Sequence, residues 1–164
     1  MAALEPGVFF PPVSLFDSGT EGQRADVPTR KGETLYAFFK TTCPTCVLTW
    51  PYLERVRALA EGGPLRVVAV SQDEPGATKA FNSRVGSRIE TLYDPQPWKA
   101  SNAVGLTNVP TLFLVDEEGR IRDTVVGFQK KKLEELGRLA AEGTGREGTP
   151  VFRPEDEVPD FKPG

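Results

Sequence analysis

The sequence predicts an α/β fold, a three-layer sandwich with helices on both faces of a mixed central β-sheet. Two observations carry this. Strand-like and helix-like segments alternate along residues 33–142. Of the 16 Gly and 15 Pro, 16 residues in all fall within 1–32 and 143–164, so the ends are loop-rich and the middle is the regular part. Composition agrees: of 164 residues, 38% are hydrophobic and 26% charged, as in one ordinary globular domain.

Each element has its own signal. Leu35-Tyr-Ala-Phe-Phe39 is a short apolar run that reads as a buried strand. Residues 44–60 follow as a helix, with Val47, Trp50, Leu53, Val56 and Leu59 at every third position and Ala60 continuing the stripe. Gly62-Gly63-Pro64 stops it. Leu65 to Ser71 is β-branched and apolar, a second strand. Pro75 to about Val85 fits a helix with Pro75 in its first turn. A short strand at Thr91–Asp94 and a short helix from Pro97 to Ala103 come next. Thr111 to Val115 is a third clear strand, Asp116-Glu-Glu-Gly119 a hairpin turn, and Arg120 to Val126 the returning strand. Lys130 to Ala141 is the last helix, with Leu133, Leu136, Leu139 and Ala140 on one face and Lys130-Lys131-Lys132 on a solvated one. Phe9, Phe10 and Phe16 are expected to pin the N-terminal segment, and Trp50 belongs to the core. Residues 143–164 read as an extended C-terminal tail that only Val151, Phe152, Val158 and Phe161 could dock.

The composition excludes several kinds of function. Twenty basic against 23 acidic residues give a net charge of −3, the wrong sign for electrostatic nucleic-acid binding. No apolar run is long enough for a membrane-spanning helix. The first residues lack the basic and apolar regions of a secretory signal, so the expected compartment is the cytoplasm, where a dithiol acts as a reductant; an exported protein that has lost its signal would reverse that. The chain contains no histidine, which removes Ser-His-Asp and Cys-His catalysis and histidine metal ligation. With two cysteines, a four-cysteine zinc site is impossible, and neither a metal nor an organic cofactor is expected.

Chemistry concentrates in Cys43-Pro44-Thr45-Cys46, between a strand and the helix it feeds. A helix N-terminus offers unpaired N–H groups and the positive end of the macrodipole, which stabilise a thiolate at Cys43. Pro44 fits the first helical position, where its missing N–H costs nothing. Cys46, within one helical turn, can attack a mixed disulfide on Cys43 and release the partner. A purely structural disulfide would close a four-residue loop, worth only about 2 kcal/mol. Half a zinc site would need two carboxylates, and two inert core cysteines would not need this position. A CxxC beside a βαβ pattern is a specific redox signal.

These residues resemble the thioredoxin-like superfamily. Phe38-Phe39-Lys-Thr-Thr-Cys43-Pro-Thr-Cys46 is similar to its active-site strand and helix, and Pro51 sits like its helix proline. Val109-Pro110-Thr111 looks like its cis-proline loop, and Val126-Gly127-Phe128 like its glycine turn. Pro11 to Asp17, then Gly19, resembles the opening hairpin of the redoxin subgroup, which includes cytochrome-maturation thioredoxins and the alkyl hydroperoxide reductase/thiol-specific antioxidant proteins. The inserted segment Gln72 to Tyr93 suits that subgroup, and the likeness spans roughly residues 8–142. It implies a thioredoxin fold with an N-terminal β-hairpin extension over residues 1–142. It implies thiol-disulfide exchange, with Cys43 attacking and Cys46 resolving. Pro110 is then cis beside the sulfurs, Val109 pairs with a substrate chain, and Thr42, Pro44, Thr45 and Gly127 line the same surface. The expected partners are a protein or small-molecule disulfide or thiol and a dithiol donor or reductase, with the protein itself a monomer.

Departures from the pattern matter. Thr42 stands where thioredoxins carry Trp, and Ala37 where they carry a buried Asp. Thr49 replaces the Glu of the cytochrome-maturation branch, so Cys46 lacks both usual proton acceptors. Lys40 could assist Cys43. A peroxide-reducing antioxidant is the first alternative, but Lys40 and Tyr36 stand where peroxiredoxins carry Thr and Pro, and their arginine would have to come from Arg84, Arg88, Arg120 or Arg122. A non-enzymatic redox-sensing or partner-binding module is the second.

Overall fold

The computed structural model describes residues 2–17, the backbone of 25–26, and residues 31–164. Strands β1 (Ser14–Leu15) and β2 (Ala25–Asp26) pair antiparallel, as the resemblance to redoxins implied; Gly19 lies outside the described residues. The remaining elements include those expected, in the expected order. They are β3 (Thr34–Phe39), α1 (Pro44–Ala60), β4 (Arg66–Ser71), α2 (Pro75–Val85), β5 (Glu90–Tyr93), α3 (Lys99–Ala103), β6 (Thr111–Val115) and β7 (Ile121–Val126). Then come β8 (Phe128–Gln129), α4 (Lys130–Glu142) and β9 (Phe161–Lys162); the sequence predicts neither β8 nor β9.

The central sheet has five strands in the order β5-β4-β3-β6-β7. β3, β4 and β5 run parallel, whereas β6 is antiparallel to β3 and β7 to β6. The β3–α1–β4 and β4–α2–β5 units explain the parallel half, since parallel neighbours need a crossover. The tight turn at Asp116–Gly119 explains the antiparallel half: the Gly119 N–H donates to Asp116 O at 3.0 Å and the Asp116 N–H to Arg120 O at 2.8 Å.

Alternation along β3 sorts the two cores. Leu35, Ala37 and Phe39 face α1, α2 and α4 in one cluster with Trp50, Phe81 and Leu133. Tyr36 and Phe38 face the N-terminal segment and α3, with Phe10, Leu15 and Ala100. Phe39 packs on Trp50 at 4.3 Å and on Phe81 at 5.1 Å. Phe10 stacks on Tyr36 at 4.7 Å. Each such buried side chain contributes about 1.5–3 kcal/mol by leaving water. Phe10 is therefore the pin of the N-terminal segment. Phe9 holds it by backbone pairing with Arg120 and keeps its ring exposed beneath the Arg120 guanidinium, while Phe16 pairs its backbone with Tyr93.

The buried stripe of α1 differs from the sequence expectation in one place. Val47 is exposed, and Cys46 and Thr49 are buried instead, so the inward face runs Cys46, Thr49, Trp50, Leu53, Val56 and Ala60 at helical spacing. A strict period of three drifts off one face of a helix of 3.6 residues per turn, and Val47 is where the drift shows.

Residues 143–164 read as a tail in the sequence, and the structure places them against the domain. Val151 is fully buried, and Phe152 stacks on Tyr52 at 4.6 Å. Arg55 donates to Val151 O at 2.8 Å and to Asp156 Oδ2 at 2.6 Å, and Glu134 accepts from the Val151 N–H at 2.7 Å. Val158 packs partly buried, but the Phe161 side chain is exposed; its backbone forms β9 against β8. Local apolar pattern marks Val151 and Phe152 but contains no sign of a strand pair formed with residues more than thirty positions away. If the tail is structural, Phe152→Ala should lower unfolding stability by about 3 kcal/mol in urea titration. A loss near zero would mean that the tail contributes nothing to the fold.

Candidate active site

The C-terminal ends of β3 and β4 place the site. Phe39 and Ser71 are register partners, so the loops leaving both strands emerge side by side. Asp73 in the second loop accepts from the Thr41 N–H at 2.6 Å, and its own N–H donates to Ser71 Oγ at 3.1 Å. This brace fixes the turn that precedes Cys43. The sequence reading overlooked Asp73; its signal is position, two residues past the end of a strand parallel to the active-site strand.

Cys43 is the N-cap of α1, with Pro44 in the first turn. The Cys46 N–H donates to Cys43 Sγ at 3.3 Å, and the Val47 N–H to Cys43 O at 3.1 Å. The Cys43 thiol in turn donates to the carbonyl of Val109 at 3.3 Å. Both cysteines are free thiols, Cys43 partly exposed and Cys46 buried. Burial pushes the Cys46 thiol well above its usual range; the neighbouring Cys43 and Asp73 add to the rise, and a hydrogen bond with the Lys40 backbone opposes it. The Lys40 ammonium itself sits over the Trp98 ring at 5.7 Å, so Lys40 contributes here through its main chain.

The Val109–Pro110 peptide is cis. Thr111 Oγ1 donates to Asn108 O at 2.7 Å and fixes the loop, which turns the Val109 carbonyl to Cys43. The Gly127 N–H donates to Pro110 O at 2.8 Å and ties the glycine turn to the same loop. Gly127 has φ +77°, a left-handed conformation that side chains other than glycine's rarely adopt. Thus Cys43, Cys46, Val109, Pro110 and Gly127 are linked into one site, with Cys46, Pro110 and Gly127 buried and Pro44 exposed beside them. Thr42 stands exposed at the rim. Thr45 is buried, and its hydroxyl donates to Pro163 O at 2.7 Å. The Thr49 hydroxyl donates to Thr45 O at 2.7 Å, inside the helix. Ala37 lies wholly within the core. Trp98 caps α3 and donates from Nε1 to Gln72 O at 3.2 Å, a packing role, and the preceding Gln96–Pro97 bond is also cis. Among the described residues, no helix is long and apolar enough to cross a membrane.

This arrangement is that of a thioredoxin fold carrying a dithiol at a helix N-terminus. Residues 5–139 match the Redoxin family, and the chain belongs to it. Its curated relatives include thiol-disulfide oxidoreductase ResA of Bacillus thuringiensis, 25% identical over 68% of this chain and 65% of the relative. ResA of Geobacillus thermodenitrificans is 26% identical over 70% of this chain and 67% of the relative. The chain therefore spans about two thirds of the length of these relatives. Among solved structures, a thiol:disulfide interchange protein of the thioredoxin family from Chlorobium tepidum superposes with a TM-score of 0.66 at 20% identity, covering 85% of this chain and 99% of that one. StoA of Bacillus subtilis superposes with 0.63 at 19% identity, covering 77% and 98%.

The buried Cys46 thiol makes stability depend on pH. An unfolded chain ionises it near pH 8.5, whereas the folded chain keeps it neutral. Its contribution is then complete below about pH 8.5 and is lost as pH rises above that. Tyr36, pushed up by burial from 10.0 to about 12, adds a similar loss only above about pH 10. Reduced protein should lose up to about 1.4 kcal/mol per pH unit above pH 8.5 relative to Cys46→Ala in urea unfolding under a thiol reductant. Parallel curves for the two proteins would contradict this.

Proposed function

We propose that this protein is a thiol-disulfide oxidoreductase that cycles Cys43 and Cys46 between dithiol and disulfide. The observation that carries the reading is the position of Cys43 Sγ, partly exposed at the N-cap of α1 and accepting from the Cys46 N–H, with the second thiol buried one turn away. The ResA relatives support the same chemistry.

The cycle follows from the two environments. The Cys43 thiolate attacks a sulfur of the substrate disulfide; one S–S bond forms at Cys43, the substrate's own S–S bond breaks, and the leaving thiolate takes a proton. At the N-cap of α1 the Cys46 N–H points at the attacking sulfur. Burial keeps Cys46 protonated and out of competition until the mixed disulfide exists. Cys46 then loses its proton and displaces the substrate thiol, closing the Cys43–Cys46 disulfide. With Ala37 and Thr49 in place of acidic residues, the carboxylate whose charge reaches Cys46 is Asp73, fixed by the Thr41 N–H. A dithiol donor restores the pair. Three of the four arginines named for the peroxide-reducing alternative are engaged elsewhere: Arg84 lies over Phe81, Arg120 over Phe9 with a bond to Gly7 O, and Arg122 pairs with Glu33.

Variants separate the roles. Cys43→Ser should abolish reduction of a protein disulfide by dithiothreitol-recycled enzyme. Cys46→Ser should lose turnover while trapping a mixed disulfide on Cys43 that mass spectrometry detects. Turnover retained by Cys43→Ser would sink the reading.

A further inference from the structure

Residues 160–164 lie across the dithiol surface. Strand β9 pairs antiparallel with β8, Lys162 opposite Phe128 and Phe161 opposite Gln129. The Lys130 N–H donates to Asp160 O at 2.9 Å. Past the strand, Pro163 O accepts from the Thr45 hydroxyl at 2.7 Å, and the main-chain oxygen of Gly164 accepts from Asn108 Nδ2 at 3.3 Å. Gly164 comes so near the Val109 carbonyl that a Cβ there would overlap it. A Cβ on Gly127 would lie 2.6 Å from Lys162 O. The segment thus reaches Thr45, Val109 and Gly127, three of the residues that would line a substrate groove.

The attachment is uneven. Upstream, Val151 and Phe152 are buried and Arg55 holds Asp156. From residue 160 onward the one large apolar side chain, Phe161, is 57% exposed, so backbone and polar hydrogen bonds do most of the holding. A segment with little apolar burial opens at low free energy while the rest of the fold stays closed. Cys43 nevertheless remains partly exposed beneath it.

We propose that residues 160–164 form an intrachain strap that fills the polypeptide-binding groove. An extended polypeptide disulfide must replace β9 on the edge of β8 to reach Cys43, whereas a small thiol reagent reaches it with the strap in place. Main-chain pairing on a strand edge is the interaction that strap and polypeptide share, so they compete for the same donors and acceptors. This rests on the thiol-disulfide reading above.

The test uses the full chain with Cys46→Ser. Cys43 is loaded in one sample (the S-methyl protein) with a methylthio group from methyl methanethiosulfonate, methanesulfinate leaving, and in another with an extended cysteine peptide activated as its thionitrobenzoate disulfide. In each case the Cys43 thiolate forms the new S–S bond and the activating group leaves. Amide hydrogen exchange is read at Lys162, on the strap itself and opposite Phe128. Its amide should stay protected in the free and S-methyl proteins and exchange about ten-fold faster or more when the peptide is held and takes the place of β9. Adding Phe161→Gly with Lys162→Gly weakens β9 through backbone entropy and should speed peptide loading about ten-fold, with S-methyl loading within about two-fold of its former rate. Protection unchanged by the peptide, or peptide loading unchanged or slowed by the glycines, overturns the strap. Failure of Cys43 to accept either group overturns the exchange reading itself, and the strap with it.

Discussion

The structure depends on one junction, where the end of β3 becomes the start of α1 with a cysteine as the cap. Everything nearby serves to hold that sulfur. The parallel neighbour β4 sends Asp73 alongside to fix the Thr41 N–H, and the Val109 carbonyl accepts from the Cys43 thiol. Behind it, α1 is locked by the cluster of Phe39, Trp50 and Phe81. Without that packing the helix N-terminus would have no fixed direction, and the Cys46 N–H could not be held on the Cys43 sulfur.

Asymmetry between the two cysteines is the chemical result. Three residues apart in sequence, they sit on opposite sides of the boundary between solvent and core. Cys43 caps the helix at the surface, and Cys46 takes the first inward position of the α1 stripe. The same helical geometry that sends Trp50 and Leu53 into the core sends Cys46 there and suppresses its ionisation. In the proposed cycle this difference in burial divides attack from resolution, with no histidine involved.

Much of this was legible in the sequence because it is local. The Cys43-Pro44-Thr45-Cys46 run, the β-branched stretch before Ser71 and the Val109-Pro110-Thr111 segment each carry their own pattern, and the structure joins them where the resemblance implied. Two parts were not legible, for one reason. Asp73 matters through strand register, and β9 through pairing with β8, and neither leaves a periodic trace in its own neighbourhood. The Val47 position failed differently: with polar Cys46 and Thr49 on the inward face, apolar spacing alone pointed to the wrong side of the first turn. Gly127 links both levels, since its left-handed turn leads the chain from β7 to β8 and so creates the edge that residues 160–164 cover.

The central claim is that Cys43 and Cys46 form a reversible two-electron couple. Its most direct measurement is the reduction potential of the pair, from free-thiol counts across graded glutathione or dithiol buffers, with Trp50 fluorescence as a second probe. The account predicts a single two-electron transition in which both thiols disappear together within the range of about −270 to −120 mV spanned by this chemistry, and its loss in Cys46→Ser. Two thiols that persist at every poise, or that disappear independently, would contradict it.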